Sequence, residues 1–106
     1  MQFLVTAYDG ADDKALERRM AARAAHIASG DRLRDAGKLI YAAAILDDAE
    51  KMIGSVLVYE VAGRRELDEC LQADPYVAGG VWATIDVKRC RTGPSFAPKV
   101  RPGDGR

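Results

Sequence analysis

The single histidine of the chain, His26, ends an Arg-x-x-His motif that begins at Arg23 in an alanine-rich segment, and an Asp-Pro-Tyr segment begins much later at Asp74. Histidine is the side chain whose ordinary pKa lies near neutrality, so His26 could act as a general acid or base. The carboxylate of Asp74 could accept a hydrogen bond from one imidazole nitrogen and so raise the basicity of the other. These residue types therefore suggest a small acid/base site.

Each of these residues also has a structural interpretation. An Asp before a Pro is a common turn former, because the proline restricts the preceding residue and the Asp side chain bonds to nearby backbone. A histidine at the edge of a helix often serves packing alone. The residues by themselves leave catalysis and packing both open.

Hydrophobic patterns divide most of the chain into strands and helices in the order β-α-β-β-α-β. The predicted bounds are strand 2–8, helix 12–29, strands 38–46 and 52–61, helix 64–72 and strand 81–89. Two βαβ halves of this kind form an α+β fold of the ferredoxin-like type, with a four-stranded antiparallel sheet and both helices on one face. Asp12 or Asp13 is expected to cap the first helix, and Ser29-Gly30 to end it.

The predicted first helix carries charged side chains close to its apolar side. At about 100° per residue, Arg23 falls among the expected buried residues, and His26 and Arg19 lie along one edge of them. Arg23 would then either reach water along its stem or line a pocket as the partner of an anion. Small side chains at the same edge leave room for a ligand. The expected buried residues are Leu16, Met20 and Ile27, and the small ones are Ala15 and Ala22.

Tyr8 and Asp9, at the end of the first predicted strand, are further candidates for the wall of such a pocket, with Asp9 as a second carboxylate. Packing in the core with the hydroxyl at the rim is the alternative for Tyr8. The sequence has no G-x-G-x-x-G or Walker motif, and one His with two scattered Cys is a poor ligand set for zinc. We therefore expect a small-molecule site that uses no cofactor and no metal.

The composition is that of one globular domain. The chain has 106 residues, with 16 Lys and Arg against 16 Asp and Glu. A net charge near zero argues against binding to nucleic acid or to an anionic membrane, and no apolar run is long enough to span a bilayer. We expect a soluble, cytoplasmic protein in which Cys70 and Cys90 are free thiols.

The uncovered face of the predicted sheet indicates self-association. Strand 39–46 is apolar on both sides, which does not suit a sheet with one solvated face. We therefore expect a homodimer or a higher homo-oligomer that packs sheet against sheet. A tail rich in Pro and Gly, residues 92–106, follows the domain at 1–91. This tail is either flexible or an arm that Phe96 anchors on a neighbouring subunit.

Taken together, the motifs resemble the YCII-related (YciI-like) domain family over most of the chain. The resemblance rests on Tyr8-Asp9, Arg23-x-x-His26, Gly37-x-Leu39, Gly54-Ser55, Ala73-Asp74-Pro75-Tyr76 and Ala78-Gly79. It implies a ferredoxin-like fold that pairs sheet to sheet into a dimeric α+β barrel. The sequence departs from the family at Ala42-Ala43-Ala44, where Ala-Gly-Pro is usual, and this departure concerns the shape of the substrate pocket.

The resemblance also implies a function. A characterised relative is a dehydrochlorinase of a chlorinated hydroxyquinol, so the chemistry would be cofactor-free proton transfer, of the lyase or isomerase type, on a small oxygenated ring or enol. His26 would be the general acid or base, Asp74 its orienter, and Arg23 or Arg19 the clamp for an oxyanion. The alternatives are a non-catalytic module that binds a small anion or another subunit, and a structural dimer in which the His–Asp pair only ties helix to loop.

Overall fold

A computed structural model describes residues 1–96 of the chain. Its elements are β1 (Gln2–Asp9), α1 (Ala15–Asp35), β2 (Leu39–Leu46), β3 (Met52–Glu60), α2 (Arg64–Ala73), α3 (Pro75–Ala78) and β4 (Trp82–Cys90), followed by a 3₁₀ turn at Pro94–Phe96. The predicted order of strands and long helices is confirmed, and the short helix α3 is an addition to it. Residues 97–106, most of the predicted tail, lie outside the described residues.

The four strands form one sheet in the order β2-β3-β1-β4, and every neighbouring pair is antiparallel. In the central strand β1, Val5 lies opposite Leu57 of β3 and Val87 of β4. This is the strand order of the ferredoxin-like fold. The predicted fold class is therefore confirmed.

Alternation along the strands separates a buried face from an uncovered one. In β1, Phe3, Val5 and Ala7 are buried, whereas the residues between them are more exposed. Because successive side chains of a strand point to opposite faces, the buried series marks the face on which the helices lie. The core between helices and sheet is completed by Leu39, Leu57, Tyr59, Val61, Leu67, Leu71, Tyr76, Val81 and Trp82.

The predicted buried side of α1 is wrong. Met20 is 51% exposed, Ile27 is 43% exposed and Arg23 is also exposed, whereas Ala15 and Arg19 are buried. The helix meets the sheet through what was expected to be the edge of its apolar side. Small alanines allow α1 to approach the strands closely there, and the buried arginine finds an aspartate. The close approach of the helix and the pairing of its buried arginine both depend on tertiary contacts, which helical periodicity does not predict.

The predicted ends of α1 also differ from the structure. The helix continues through Ser29-Gly30 and ends before Gly37, whose φ of 75° is the left-handed conformation that glycine adopts readily. There the amide of Gly37 donates to the carbonyl of Arg34 at 2.9 Å, and that of Lys38 donates to the carbonyl of Leu33 at 2.8 Å. These two bonds form a Schellman motif. At the other end Lys14 occupies the N-cap position without a side-chain cap, so neither predicted aspartate caps the helix.

Within residues 1–96, no helix is long and apolar enough to cross a bilayer. The cytoplasmic location and the absence of nucleic-acid partners stay predictions.

Candidate active site

Asp74 begins the short helix α3 directly after α2 ends. Its carboxylate oxygen Oδ1 accepts a hydrogen bond from the backbone amide of Tyr76 at 2.9 Å, and Pro75 occupies the first helical position. Asp is a favoured N-cap residue and Pro a favoured first residue, so the Asp-Pro-Tyr sequence suits this helix start. The turn-forming interpretation of Asp74 is therefore correct as far as the backbone is concerned.

The same carboxylate also holds the histidine. Nδ1 of His26 lies 2.7 Å from Oδ1 of Asp74, and the two side chains are only 16% and 4% exposed. Because a carboxylate accepts hydrogen bonds, we assign the proton to Nδ1. In the neutral imidazole this leaves Nε2 as the nitrogen with a free lone pair.

Aromatic rings fix the plane of the imidazole. His26 stacks on Tyr76 with ring centroids 3.7 Å apart and planes 7° from parallel. Trp82 meets both rings edge-on, with centroids 5.9 Å from His26 and 5.6 Å from Tyr76. Burial raises the pKa of the Tyr76 hydroxyl, although Arg19 and Arg23 act in the opposite direction. Tyr76 therefore stays a neutral phenol at neutral pH.

Arg19 lies beneath this cluster as one half of a buried ion pair. Its Nη1 donates to both carboxylate oxygens of Asp9, at 2.9 and 3.2 Å, and each side chain is 3% exposed. Its Nη2 donates to Oγ of Ser55 at 2.9 Å, and its guanidinium carbon lies 4.8 Å from the Tyr76 ring centroid. Since Oγ of Ser55 is also 3.3 Å from the indole nitrogen of Trp82, one polar network joins β1, α1, β3 and β4.

Two cavities flank His26 between α1 and the strands β2 and β3. One has a volume of about 240 Å³ and the other of about 220 Å³. The first, which we call the apolar cavity, is lined by Leu33, Leu39, Ile40, Tyr59, Asp74 and others. The second, which we call the cationic cavity, is lined by Arg19, Arg23, Ser55, Tyr76 and others. Both are lined by His26, Ile27, Ala42 and Leu57.

The structure thus brings together some of the residues selected from the sequence and separates others. His26 and Asp74 are in contact, and Arg19 and Arg23 line the cationic cavity beside them. Asp9 is on the same side of the sheet, but its carboxylate is occupied by Arg19. Tyr8 is not part of the cluster, because it alternates with the buried Ala7 and so lies on the uncovered face of the sheet.

Three residues of the cluster were not assigned a role from the sequence: Ser55, Tyr76 and Trp82. Ser55 carried a detectable signal, since it is a polar residue in register with the core positions Leu57 and Tyr59 of its strand. Such a residue needs a buried partner. Tyr76 and Trp82 gave no comparable signal, because aromatic residues at those positions are equally typical of a core.

A ferredoxin-like α+β domain with a histidine–aspartate contact beside a cleft is the class of protein that this fold and site define. The sequence profile of the YCII-related domain matches residues 1–91. The chain therefore belongs to the YCII-related family, as its motifs indicated. Two relatives are the proteins named YciI of Escherichia coli O6:H1 and of Shigella flexneri. Each is 34% identical over an alignment of 94 residues, which covers 83% of this chain and 94% of the relative.

The chain is also similar to a solved structure. It is the 5-chloro-2-hydroxyhydroquinone dehydrochlorinase TftG of Burkholderia phenoliruptrix AC1100, in complex with 2,5-dihydroxybenzoquinone. The TM-score is 0.76 at 27% sequence identity, and the similarity covers 90% of this chain and 98% of that one.

Proposed function

We propose that this protein is a small acid/base enzyme of the lyase or isomerase type that needs no cofactor and acts on a hydroxylated ring or enol. The observation that carries the proposal is the contact of 2.7 Å between Nδ1 of His26 and Asp74, which leaves Nε2 free beside two cavities. A histidine with one nitrogen held by a carboxylate is the usual arrangement of a general base.

The steps at His26 follow from this geometry. Nε2 takes a proton from a hydroxyl or from an acidic carbon of the substrate, and the imidazolium that forms is stabilised by the carboxylate of Asp74. Nε2 then returns the proton to another atom of the substrate or loses it to water. Asp74 cannot turn away during the reaction without losing its bond to the Tyr76 amide. General acid/base catalysis of this kind contributes about 10²- to 10⁴-fold to a rate.

The structural similarity supports the substrate class. The similar enzyme is a dehydrochlorinase of 5-chloro-2-hydroxyhydroquinone and was solved with 2,5-dihydroxybenzoquinone. Loss of HCl from such a ring requires a base for one proton and a path for chloride. In this chain His26 is the base that we propose, and Arg23, at the cationic cavity, stabilises the negative charge that develops on oxygen.

The proposal is tested by chloride release from 5-chloro-2-hydroxyhydroquinone and by deuterium exchange from solvent into 2,5-dihydroxybenzoquinone. We expect His26→Ala to lower kcat by about 10² or more, the usual effect of removing a general base. Asp74→Asn keeps an oxygen that can cap α3, so it should lower kcat with little change in melting temperature. Met20→Ala, on the exposed side of α1, is the matched control. Equal rates in wild type and His26→Ala would overturn the proposal.

A non-catalytic module that binds a small anion is the second candidate. It is favoured by Arg23, which lines the cationic cavity and makes no ion pair within residues 1–96. In that case 2,5-dihydroxybenzoquinone binds saturably in calorimetry and shows neither turnover nor isotope exchange. Loss of affinity in Arg23→Gln with no product at any substrate concentration would favour this candidate over the enzyme.

We further propose that the protein is a homodimer in which the uncovered sheet faces pack together. Among the described residues, this face carries Leu4, Thr6, Tyr8, Val56 and Val58, and no described helix lies over it. Tyr8 is 45% exposed there, and large apolar patches of this kind are typical of interfaces. Sedimentation velocity should give a dimer for wild type and a monomer for Val58→Lys. Gln72→Lys, on the exposed side of α2, is the control, and a monomeric wild type would contradict the proposal.

A further inference from the structure

The apolar and cationic cavities share a wall at the centre of the candidate site. His26, Ile27, Ala42 and Leu57 line both of them. Of these, only Ile27 is a long side chain with substantial freedom, since it is 43% exposed. Exposed side chains change rotamer within nanoseconds. Of the four shared residues, Ile27 is therefore the one whose side chain can move most readily between the two cavities.

The volumes favour one continuous cleft. Neither cavity, at about 240 and about 220 Å³, reaches the lower limit of about 300 Å³ that is typical of small-molecule sites. Joined past Ile27 they exceed this limit. His26 would then lie in the middle of the cleft, with Nε2 near the centre of a bound molecule.

The two ends of this cleft differ in charge. At the cationic end, the charge of Arg19 is balanced by Asp9, but its Nε is buried without an acceptor among the described residues. Arg23 makes no ion pair within residues 1–96 and is exposed at the same cavity. This end therefore has a net positive charge and unused donors, which suit a carboxylate or an enolate oxygen.

The other end is suited to an uncharged body. Its wall is mainly apolar. Of its charged residues, Asp31 and Arg34 pair with each other at 3.3 Å, and the carboxylate of Asp74 is bonded to His26 and to the amide of Tyr76. Its floor includes Tyr59, whose hydroxyl is buried and has no partner among the described residues. Burial and the nearby Asp74 raise the pKa of this phenol, so it stays protonated and can donate a hydrogen bond to an oxygen of a bound molecule.

We propose that the two cavities are the ends of one cleft for an amphipathic monoanion, an apolar or aromatic body in the apolar cavity joined to an anionic group at Arg23, with the reacting atoms over His26. This inference rests on the proposed function for the role of His26 alone. Arg23 selects for the negative charge, and Ile27 sets the length of the molecule that can bridge the two ends.

A pair of probes that differ only in charge tests the cleft by calorimetry: 3-phenylpropanoate and 3-phenylpropanamide. One charge-assisted hydrogen bond should make wild type bind the carboxylate about tenfold tighter than the amide. Arg23→Gln should remove this difference, and high salt should reduce it. Arg32→Gln removes an exposed charge from the same helix outside both cavities, and it should keep the difference.

Two further variants test the continuity of the cleft. Ile40→Ser, in the wall of the apolar cavity, should weaken both probes equally. Ile27→Trp fills the junction and should weaken both probes, while circular dichroism confirms that the helix is intact. Equal affinity of wild type for the two probes, two molecules bound independently, or unchanged binding in Ile27→Trp would each overturn the proposal.

The outcome can be separated from that of the proposed function. If the protein binds the carboxylate more tightly than the amide but shows no proton transfer, the proposed enzyme activity is refuted and the proposed cleft is supported. If hydroxyquinone turnover depends on His26 while the two probes bind equally, the enzyme stands and the cleft fails.

Discussion

Two consecutive arginines of α1 pair with two aspartates of the segment that precedes the helix, and they do so in opposite environments. Arg18 pairs with Asp12 at 2.6 Å, with side chains 35% and 50% exposed. Arg19 pairs with Asp9 at 2.9 Å, with both side chains 3% exposed. Consecutive residues of a helix point about 100° apart, and this rotation alone places one pair in water and the other under the site.

An ion pair between arginine and aspartate has different consequences on the two sides of this one helix. In water, side-chain entropy and solvent screening offset most of the attraction between the charges. Between helix and sheet, the cost of desolvation is large, and losing one partner leaves an uncompensated charge. Arg19 also contacts Ser55 and the ring of Tyr76, on which His26 stacks. Only the buried pair is therefore connected to the candidate site.

The largest effect is expected from breaking the buried pair. Asp9→Asn leaves the buried guanidinium of Arg19 without a counter-charge, which should cost about 3–5 kcal/mol in the free energy of unfolding. Asp12→Asn, the matched change in the exposed pair, should lower stability far less. Urea denaturation monitored by circular dichroism measures both. Similar losses in the two variants would show that burial does not distinguish the pairs.

A smaller loss is expected where the buried network branches. Ser55→Ala removes the acceptor shared by Arg19 and Trp82, and the loss of a buried hydrogen-bond partner costs about 1–3 kcal/mol. Because Trp82 borders both Tyr76 and His26, the same variant should also raise KM or lower kcat. Ser95→Ala, an exposed serine outside the sheet, is the control. A Ser55→Ala variant as stable as wild type would mean that these hydrogen bonds position the side chains but do not stabilise the fold.

The fold could be predicted from the sequence where the information is local. Alternation and helical spacing are properties of short segments, so the succession of strands and long helices along the chain was predictable. The burial of Arg19 was not, because it depends on Asp9 being brought beneath the helix by the end of β1. The end of α1 was not predictable either. Gly30 and Gly37 are both glycines that could end a helix, and of the two only Gly37 adopts a positive φ.

The residue types and the family resemblance both suggested the pairing of His26 with Asp74, but neither gave its geometry. That geometry depends on α3, whose single turn positions Oδ1 between the imidazole and the Tyr76 amide. A helix of four residues has too short a pattern to be recognised by periodicity. Asp74 therefore combines the turn-forming role and the histidine contact, which the sequence presented as alternatives.

High salt should also distinguish the two ion pairs, through a still smaller effect on stability. At about 1 M salt the Debye length falls to about 3 Å, so the attraction between exposed charges is largely screened. The stability difference between wild type and Asp12→Asn should then shrink, whereas the difference for Asp9→Asn should persist. Denaturation in urea at low and high sodium chloride measures this. Loss of the Asp9→Asn effect at high salt would show that solvent reaches the buried pair.

The smallest effect concerns acid pH at the exposed pair. The hydrogen bond from Arg18 lowers the pKa of Asp12 from 3.8 to about 2. A carboxyl group whose pKa is lowered in the folded state stabilises the fold above its unfolded pKa, and it loses this contribution as the pH falls through the folded value. The stability difference between wild type and Asp12→Asn should therefore be constant above pH 3.8 and decrease toward pH 2. Melting curves across this interval measure it, and a difference that grows with acidity would show that Arg18 does not hold the ionised form.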